Sequence, residues 1–230
     1  MSSIFNKNYI DVTYSNKKTD YPKLLCEKLF KGINNKKILD IGCGNGEISK
    51  NLQILGNEVY GIDASESAKE YLKDKLIKVD IQKDVYPFED NTFDVVFSKS
   101  VIEHLHEPDH MLKEAYRVLK KGGIIITMTP SWKHSYRYQF YVDHTHVTPF
   151  IKHSLKVIHE LENFSDVECD YLYQLPIVWK NPWVKIICKI ISLLRLPYEP
   201  FNKNLFKNEE INKFIKFSQE AMLLCKATKK

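Results

Sequence analysis

The densest run of residues able to bind a ligand is Asp40-Ile41-Gly42-Cys43-Gly44-Asn45-Gly46. Glycines let a backbone adopt positive φ and approach a ligand closely, so this run, placed after the apolar stretch KKILDI, reads as a binding turn. Asp63 closes the next apolar stretch, EVYGID, where a carboxylate can accept both hydroxyl hydrogens of a ribose. Asp80, near the end of LIKVDI, stands where an adenine amino group could be received. A dinucleotide fingerprint would have its third glycine where this chain has Glu47. A pyrophosphate seeks a free helix N-terminus, so an acid there argues for a nucleoside that carries no phosphate and tolerates Asp40 nearby.

A second set lies in Asp143-His144-Thr145-His146, inside the long polar and aromatic loop SWKHSYRYQFYVDHTHVTP. Loops of this length are uncommon in compact domains and tend to carry function. In an extended segment residues two apart face the same way, so His144 and His146 are expected to line one wall, with Asp143 orienting a ring. Histidine titrates near neutrality and suits a general base. The same His-x-His with Asp could ligate a metal, but no further cluster of suitable spacing is evident, so no metal is expected. His104 and His106, in IEHLHEP, follow an apolar strand closely, and His104 is read as structural. Tyr136, Arg137, Tyr138 and Tyr141 could form an aromatic, cationic wall for a sugar or phosphorylated acceptor, or pack as a lid.

The elements that must hold these residues alternate between short apolar runs and helical patterns, the signature of a parallel sheet covered by helices. Strands are expected at 36–41, 58–63, 76–81, 93–98 and over IIITMTP, then at 164–173 and 218–227. Helices are expected over Tyr21–Gly32, Glu47–Leu55, SESAKEYLKDK and 150–163. The clearest helix has Pro108 near its first turn and Leu112, Ala115, Tyr116 and Leu119 at i, i+3, i+4 and i+7. Its last turn is expected to hold Lys120 and Lys121, favoured by the helix dipole, with Gly122-Gly123 stopping it.

Four segments, ILDIGCGNGEI, VYGIDAS, PFEDNTFDVVFSKSVIEHL and the stretch from MLKEAYRVLKKGG to IIITMTP, together resemble the class I S-adenosylmethionine-dependent methyltransferases across residues 36–130. That resemblance implies a Rossmann-like sheet of seven mostly parallel strands whose last strand is antiparallel, with helices on both faces. It implies S-adenosylmethionine as cofactor, with Gly42 and Gly44 lining its methionine and ribose, and Asp40, Cys43, Gly46 and Ala64 belonging to the same cradle. It also implies Asp63 at the ribose, Asp80 and Ile81 around the adenine, and Ser98 and Lys99 touching the cofactor. The stretch YxxDHTHVTPF is similar to methyltransferases of surface-polysaccharide and small-metabolite pathways. Methyl transfer is an in-line displacement at an activated sulfonium, so positioning supplies much of the catalysis. A hydroxyl acceptor must also lose its proton, which a base assists by ~10²–10⁴. The expected function is therefore methyl transfer to a small-molecule hydroxyl, with His144 or His146 as base. A lipid or quinone-type acceptor and a catalytically silent partner subunit are the alternatives.

Composition narrows the partners. The net charge of +5 rests on lysine, with Arg117, Arg137 and Arg195 the only arginines, so nucleic acid is not expected as a partner. Five scattered cysteines without a C-x-x-C pair fit a reducing cytoplasm, and MSSIFNKNYIDVTYSNKK lacks the apolar region of a signal peptide. Residues 1–35 are expected as an N-terminal helical cap and 36–230 as the methyltransferase domain, with a helical lid or insertion at 176–216. Within it Trp183, Ile186, Ile187, Ile190 and Leu194 follow helical spacing, with Lys185, Lys189 and Ser192 opposite. Residues 183–196 fall short of the ~20 needed to span a bilayer. They could pack as core or lid, lie on an anionic membrane, or pair two subunits.

Overall fold

The computed structural model describes residues 19–136, 140–193, 206 and 208–230. Arg137, Tyr138 and residues 194–196 therefore lie outside the described residues. One seven-stranded sheet runs in the order β3-β2-β1-β4-β5-β7-β6. Its strands are β1 (Lys37–Ile41), β2 (Glu58–Asp63), β3 (Leu76–Lys78), β4 (Phe93–Lys99), β5 (Leu119–Pro130), β6 (Phe164–Tyr173) and β7 (Ala221–Lys229). Pairings from β3 to β5 are parallel, whereas β7 runs antiparallel to both β5 and β6, as the resemblance implied.

Period-two alternation assigns each strand's side chains to two layers. Leu39, Ile41, Phe93, Val96 and Ile125 face α4 (Pro108–Val118) and α6 (Lys152–Leu161), which α5 (Trp132–Ser135) separates in the chain, and meet Met111, Leu112, Ala115 and Leu155. Ile38, Val95, Phe97 and Ile126 face α1 (Tyr21–Leu29) and α2 (Glu47–Ile54), meeting Leu25, Leu29 and Leu52. Among the described residues beyond β6 are the helices α7 (Pro176–Lys180), α8 (Pro182–Leu193) and α9 (Glu209–Gln219). They close a third small cluster, with Val178 and Cys188 against Tyr173 and Ala221 at the ends of β6 and β7.

Four local expectations are corrected. First, α4 ends at Val118, and Leu119 already pairs with Phe93 in the sheet. The next pair is Val95 with Ile124, so residues 120–123 bulge out of the ladder, and Gly122 supplies the φ of +75°. Lys120 consequently pairs with Asp94 at 2.9 Å instead of capping the helix. Second, the helix over SESAKEYLKDK shrinks to α3 (Lys69–Leu72) and a 3₁₀ turn, because Asp63 Oδ1 accepts from Ser65 N and Ser65 Oγ from Ser67 N, holding the chain in turns. Third, β3 stops at Lys78, and Asp80 opens a turn in which its own carboxylate accepts from Gln82 N at 3.1 Å. Fourth, α9 runs to Gln219, so the last strand begins at Ala221. Cys169 and Cys225, scattered in sequence, face each other across β6 and β7 and form a disulfide.

In α8, Cys188 is buried while Trp183, Ile186, Ile187, Ile190 and Leu193 are all at least half exposed. Core packing thus holds for one side of this helix only. No helix among the described residues is long and apolar enough to cross a membrane.

Candidate active site

The glycine turn leaves β1 at its C-terminal end, with φ of +69° at Gly42, +53° at Gly44 and +78° at Gly46, which enters α2. Such values suit glycine and explain the residue type at each place. Gly42 N donates to Ile62 O at 2.8 Å, tying the turn to β2. Asp63 then fixes it: one carboxylate oxygen accepts from Gly44 N at 2.9 Å and the other from Ser65 N at 2.8 Å. Each oxygen retains a further lone pair for a ligand hydroxyl. Cys43 is buried beside Gly61, and burial raises its thiol pKa well above the ordinary value, which makes it a packing residue.

Asp40 is buried under the turn and accepts from Ser49 Oγ of α2 at 2.6 Å. Burial, reinforced by Asp63, pushes its pKa up to about 7, against the opposing pull of Ser49 and Lys99. Asp40, Asp63 and Glu47 give the cradle an acidic lining, with no Lys or Arg in the turn itself. Of the other residues expected here, Ala64 and Ile81 are half-buried and Asp80 is exposed. Ser98 is wholly buried with its hydroxyl toward Met111 Sδ at 3.9 Å, so its side chain faces the α4 layer. Burial depresses the Lys99 pKa, opposed by the charges of Glu103 and Asp40.

The segment after β4 turns sharply, with Ser100 at a φ of +57° and its N–H bonded to Met128 O at 2.9 Å, and enters a 3₁₀ turn at Ile102–His104. Loop residues Val147 and Thr148 dock on it, both backbone N–H groups donating to Glu103 O at 2.9 and 3.0 Å. This docking brings His146 against His104, ring centroids 4.6 Å apart. Glu103 completes the group, since single donor atoms of Glu103, His104 and His146 lie within 4.8 Å of one another.

Hydrogen bonds fix the protonation pattern of both rings. His146 Nδ1 lies 2.5 Å from Phe140 O, an acceptor only, so it carries the hydrogen and leaves the lone pair on Nε2. Thr145 Oγ1 spends its hydrogen on Asp143 Oδ1 at 2.6 Å, so it accepts from His104 Nδ1 at 2.8 Å, and the His104 lone pair too is on Nε2. Burial lowers both imidazole pKa values, that of His104 to about 4, so both rings are neutral near pH 7. Glu103 is buried, with Oε2 accepting from Thr129 at 2.9 Å and Oε1 without a hydrogen-bond partner, and burial raises its pKa to about 7.

His144 and His146 do not share a wall. Asp143 Oδ1 accepts from Thr145 N at 3.0 Å, bending residues 143–146 into a turn that leaves His144 exposed and His146 half-buried. Tyr136 and Tyr141 are exposed beside Trp132, which lines an open cleft of about 550 Å³ with Tyr171 and Lys152. Trp132 packs on buried Phe140, and Phe140 on His146, so this aromatic layer stands between the cleft and the histidines. Sequence reasoning missed Glu103. Its signal was an acid directly before His104 in a segment otherwise apolar enough to be buried.

The strand order, the antiparallel β7 and the glycine turn after β1 define a Rossmann-like domain with a seven-stranded mixed sheet. Comparison with known proteins agrees. The model of a family described as "Methyltransferase domain" matches residues 39–127. A ubiquinone biosynthesis O-methyltransferase of Pelagibacter ubique is 37% identical over 105 residues, covering 43% of this chain and 44% of that protein. A 27-O-demethylrifamycin SV methyltransferase of Amycolatopsis mediterranei is 34% identical over 97 residues, covering 38% of this chain and 36% of that protein. These matches span less than half the length of the curated relatives. Among solved structures, a SAM-dependent methyltransferase from Archaeoglobus fulgidus aligns with a TM-score of 0.62 at 24% identity, over 90% of this chain and 92% of that one. Over residues 39–127 the chain is thus similar to the class I S-adenosylmethionine-dependent methyltransferase family.

S-adenosylmethionine is the cofactor of that family, and the donor set here fits it. The cradle presents carboxylates and backbone groups, which suit a ribose diol and a cationic methionine moiety, and Glu47 in the first turn of α2 opposes a pyrophosphate.

Proposed function

We propose that this chain transfers the methyl group of S-adenosylmethionine to a hydroxyl oxygen of a small-molecule acceptor. The observation that carries the oxygen acceptor is the Glu103, His104 and His146 group, whose two neutral rings keep their lone pairs on Nε2. Asp63 holds the ribose and the glycine turn admits the nucleoside. Asp40 lies under the turn, where its ionised form is favoured by a cation in the cradle. The bound cofactor supplies a methyl group already activated on a sulfonium. The chain aligns the acceptor oxygen with it and withdraws the hydroxyl proton toward the His146 side. His146, rather than exposed His144, is the residue for that task.

The acceptor class is a sugar, a polysaccharide precursor or another small hydroxylated metabolite. A lipid-tailed acceptor of the quinone-precursor type is the second reading, favoured by the exposed apolar stripe of α8 and the exposed Lys180, Lys185 and Lys189 beside it. Incubating the purified chain with isotopically labelled cofactor and matched panels of sugars, phenols and amines tests the proposal. Label is expected in an ether linkage to oxygen. Label exclusively on nitrogen overturns the oxygen assignment, and no label in any panel favours the silent-subunit alternative.

A further inference from the structure

Two chain segments far apart in sequence, the turn after β4 and the loop after β5, deliver Glu103, His104 and His146 to one place, and among the described residues this is where three metal-ligating side chains converge. Two features distinguish it from a chance cluster of polar residues. Both imidazoles donate from Nδ1 to fixed oxygens, His146 to a backbone carbonyl and His104 to Thr145, which is held in turn by Asp143. That is the outer-shell arrangement that fixes the tautomer of a metal-ligating histidine and aims its Nε2. Glu103 is the second feature: its side chain is fully buried, one oxygen is anchored by Thr129, and Oε1 has no hydrogen-bond partner. A buried polar atom left without a partner is disfavoured by ~1–3 kcal/mol, so the position is one that a ligand would relieve.

We infer that Glu103, His104 and His146 form a binding site for one divalent transition-metal cation, with a coordination position left for an oxygen of the acceptor or of water. Two imidazole nitrogens and one carboxylate oxygen are the donor set of an open zinc-type site, and they favour zinc, cobalt or iron over magnesium, which takes oxygen ligands. The inference deepens the proposed function, resting on it only for the identity of the fourth ligand. With the ion bound, the His146 lone pair is spent on the metal. The cation then does by charge what the ring would do as a base, lowering the pKa of an oxygen bound to it so that the hydroxyl proton leaves to solvent. Spacing alone gave no sign of this group, because Glu103 and His104 follow β4 and are remote in sequence from the Asp143 turn that carries His146.

The test is a titration of the chelator-treated, tag-free protein with Co²⁺, read by visible absorption, and with Zn²⁺, read by calorimetry. Wild type and His144→Ala are expected to bind one equivalent of each ion, with the intense visible bands of low-coordinate Co²⁺. His146→Ala and Glu103→Gln are expected to weaken binding at least 100-fold, and Thr145→Val, which removes the outer-shell acceptor, by 10–100-fold. Circular dichroism and S-adenosylmethionine binding of each variant report whether the fold is retained. Absence of saturable binding by wild type, or unchanged affinity in folded His146→Ala, overturns the metal site. The oxygen-acceptor proposal is read separately from the labelled products, so either can fail alone.

Discussion

Val101 occupies the space that a side chain on Gly42 would need: a Cβ built there lies 2.2 Å from Val101 Cγ2. The contact joins the two halves of the candidate site, because Gly42 opens the cofactor cradle and Val101 leads into Ile102–His104. Gly42→Ala must therefore carry a strained positive φ, disfavoured by roughly 1–2 kcal/mol, and displace the segment that carries Glu103. Gly56 is the control, with a φ of +85° and nothing within 4 Å of an added Cβ. In urea denaturation Gly56→Ala is expected to lose only the dihedral term and to keep cofactor affinity. Gly42→Ala is expected to lose more stability and at least tenfold in cofactor affinity. Equal losses in the two variants sink the idea that this contact couples the halves.

Asp40 gives a pH dependence with a definite sign. Burial raises its folded pKa to about 7, above the ordinary 3.8, so between those values the folded state holds the proton more tightly than the unfolded chain. Its contribution to stability is present below the unfolded value and declines as pH rises through about 7. Asp40→Asn cannot ionise, so the cofactor-free variant is expected to melt several degrees above wild type at pH 8 and close to it at pH 5. A cationic ligand favours the ionised carboxylate. Wild-type affinity for S-adenosylmethionine is accordingly expected to rise as pH increases from 6 to 8, with proton release detectable by calorimetry in buffers of different ionisation enthalpy, and Asp40→Asn is expected to lose that rise.

What was legible in the sequence was local. KKILDI and EVYGID carry their own alternation, and the glycine turn and Asp63 are one strand apart in the fold, so the cradle could be read from spacing. Residues 120–123 show where locality fails: the helical spacing includes Leu119, yet its burial is achieved in the sheet opposite Phe93, and tertiary pairing overrides the helix. The His104 and His146 contact had no signal in spacing, because it depends on two loop N–H groups meeting the carbonyl of Glu103. His144 was misjudged because an Asp two residues before Thr145 makes a turn, and period-two reasoning applies only to an extended chain. The Cys169 and Cys225 pairing is likewise a consequence of β6 and β7 register.

His144 and His146 should separate cleanly in activity. His144 is exposed in its turn, whereas His146 is locked by Phe140 O and packed against His104. His146→Ala is expected to lower kcat by roughly 10²–10⁴, with S-adenosylmethionine affinity within about threefold of wild type. His144→Ala is expected to change turnover less than threefold. Once an accepted substrate is in hand, steady-state kinetics check this, and a His146→Ala variant with wild-type turnover removes the ring from the proton step in either a metal-free or a metal-bound site.

His159 marks the acid limit of the fold. It is completely buried, with Nδ1 donating to Leu155 O at 2.7 Å and Nε2 accepting from Thr127 at 2.9 Å, and burial lowers its pKa from 6.5 to about 4. The unfolded chain takes up the proton first, so the stabilising contribution of this group is full above 6.5 and is lost as pH falls toward about 4. At about 1.4 kcal/mol for each pKa unit, the loss over that window is roughly 3 kcal/mol. His159→Gln keeps a donor and an acceptor but no titration, so its urea stability between pH 6.5 and 4.5 should fall less steeply than wild type. Parallel curves rule out His159 as a source of the acid sensitivity.

The apolar stripe of α8 distinguishes the two acceptor classes. Trp183 is 80% exposed and Leu193 69%, with Ile187 between them, and the exposed Lys185 and Lys189 lie to one side of the stripe. A helix of this form gains from lying in an anionic interface, where apolar burial and lysine charge act together. If the acceptor is lipid-tailed, the chain is expected to sediment with vesicles containing anionic phospholipid and not with neutral ones. Trp183→Ser combined with Ile187→Ser should then reduce the bound fraction several-fold without altering cofactor affinity, since neither residue contributes to the cradle. Absence of sedimentation with either vesicle type removes the lipid-tailed reading and leaves the water-soluble hydroxyl acceptor.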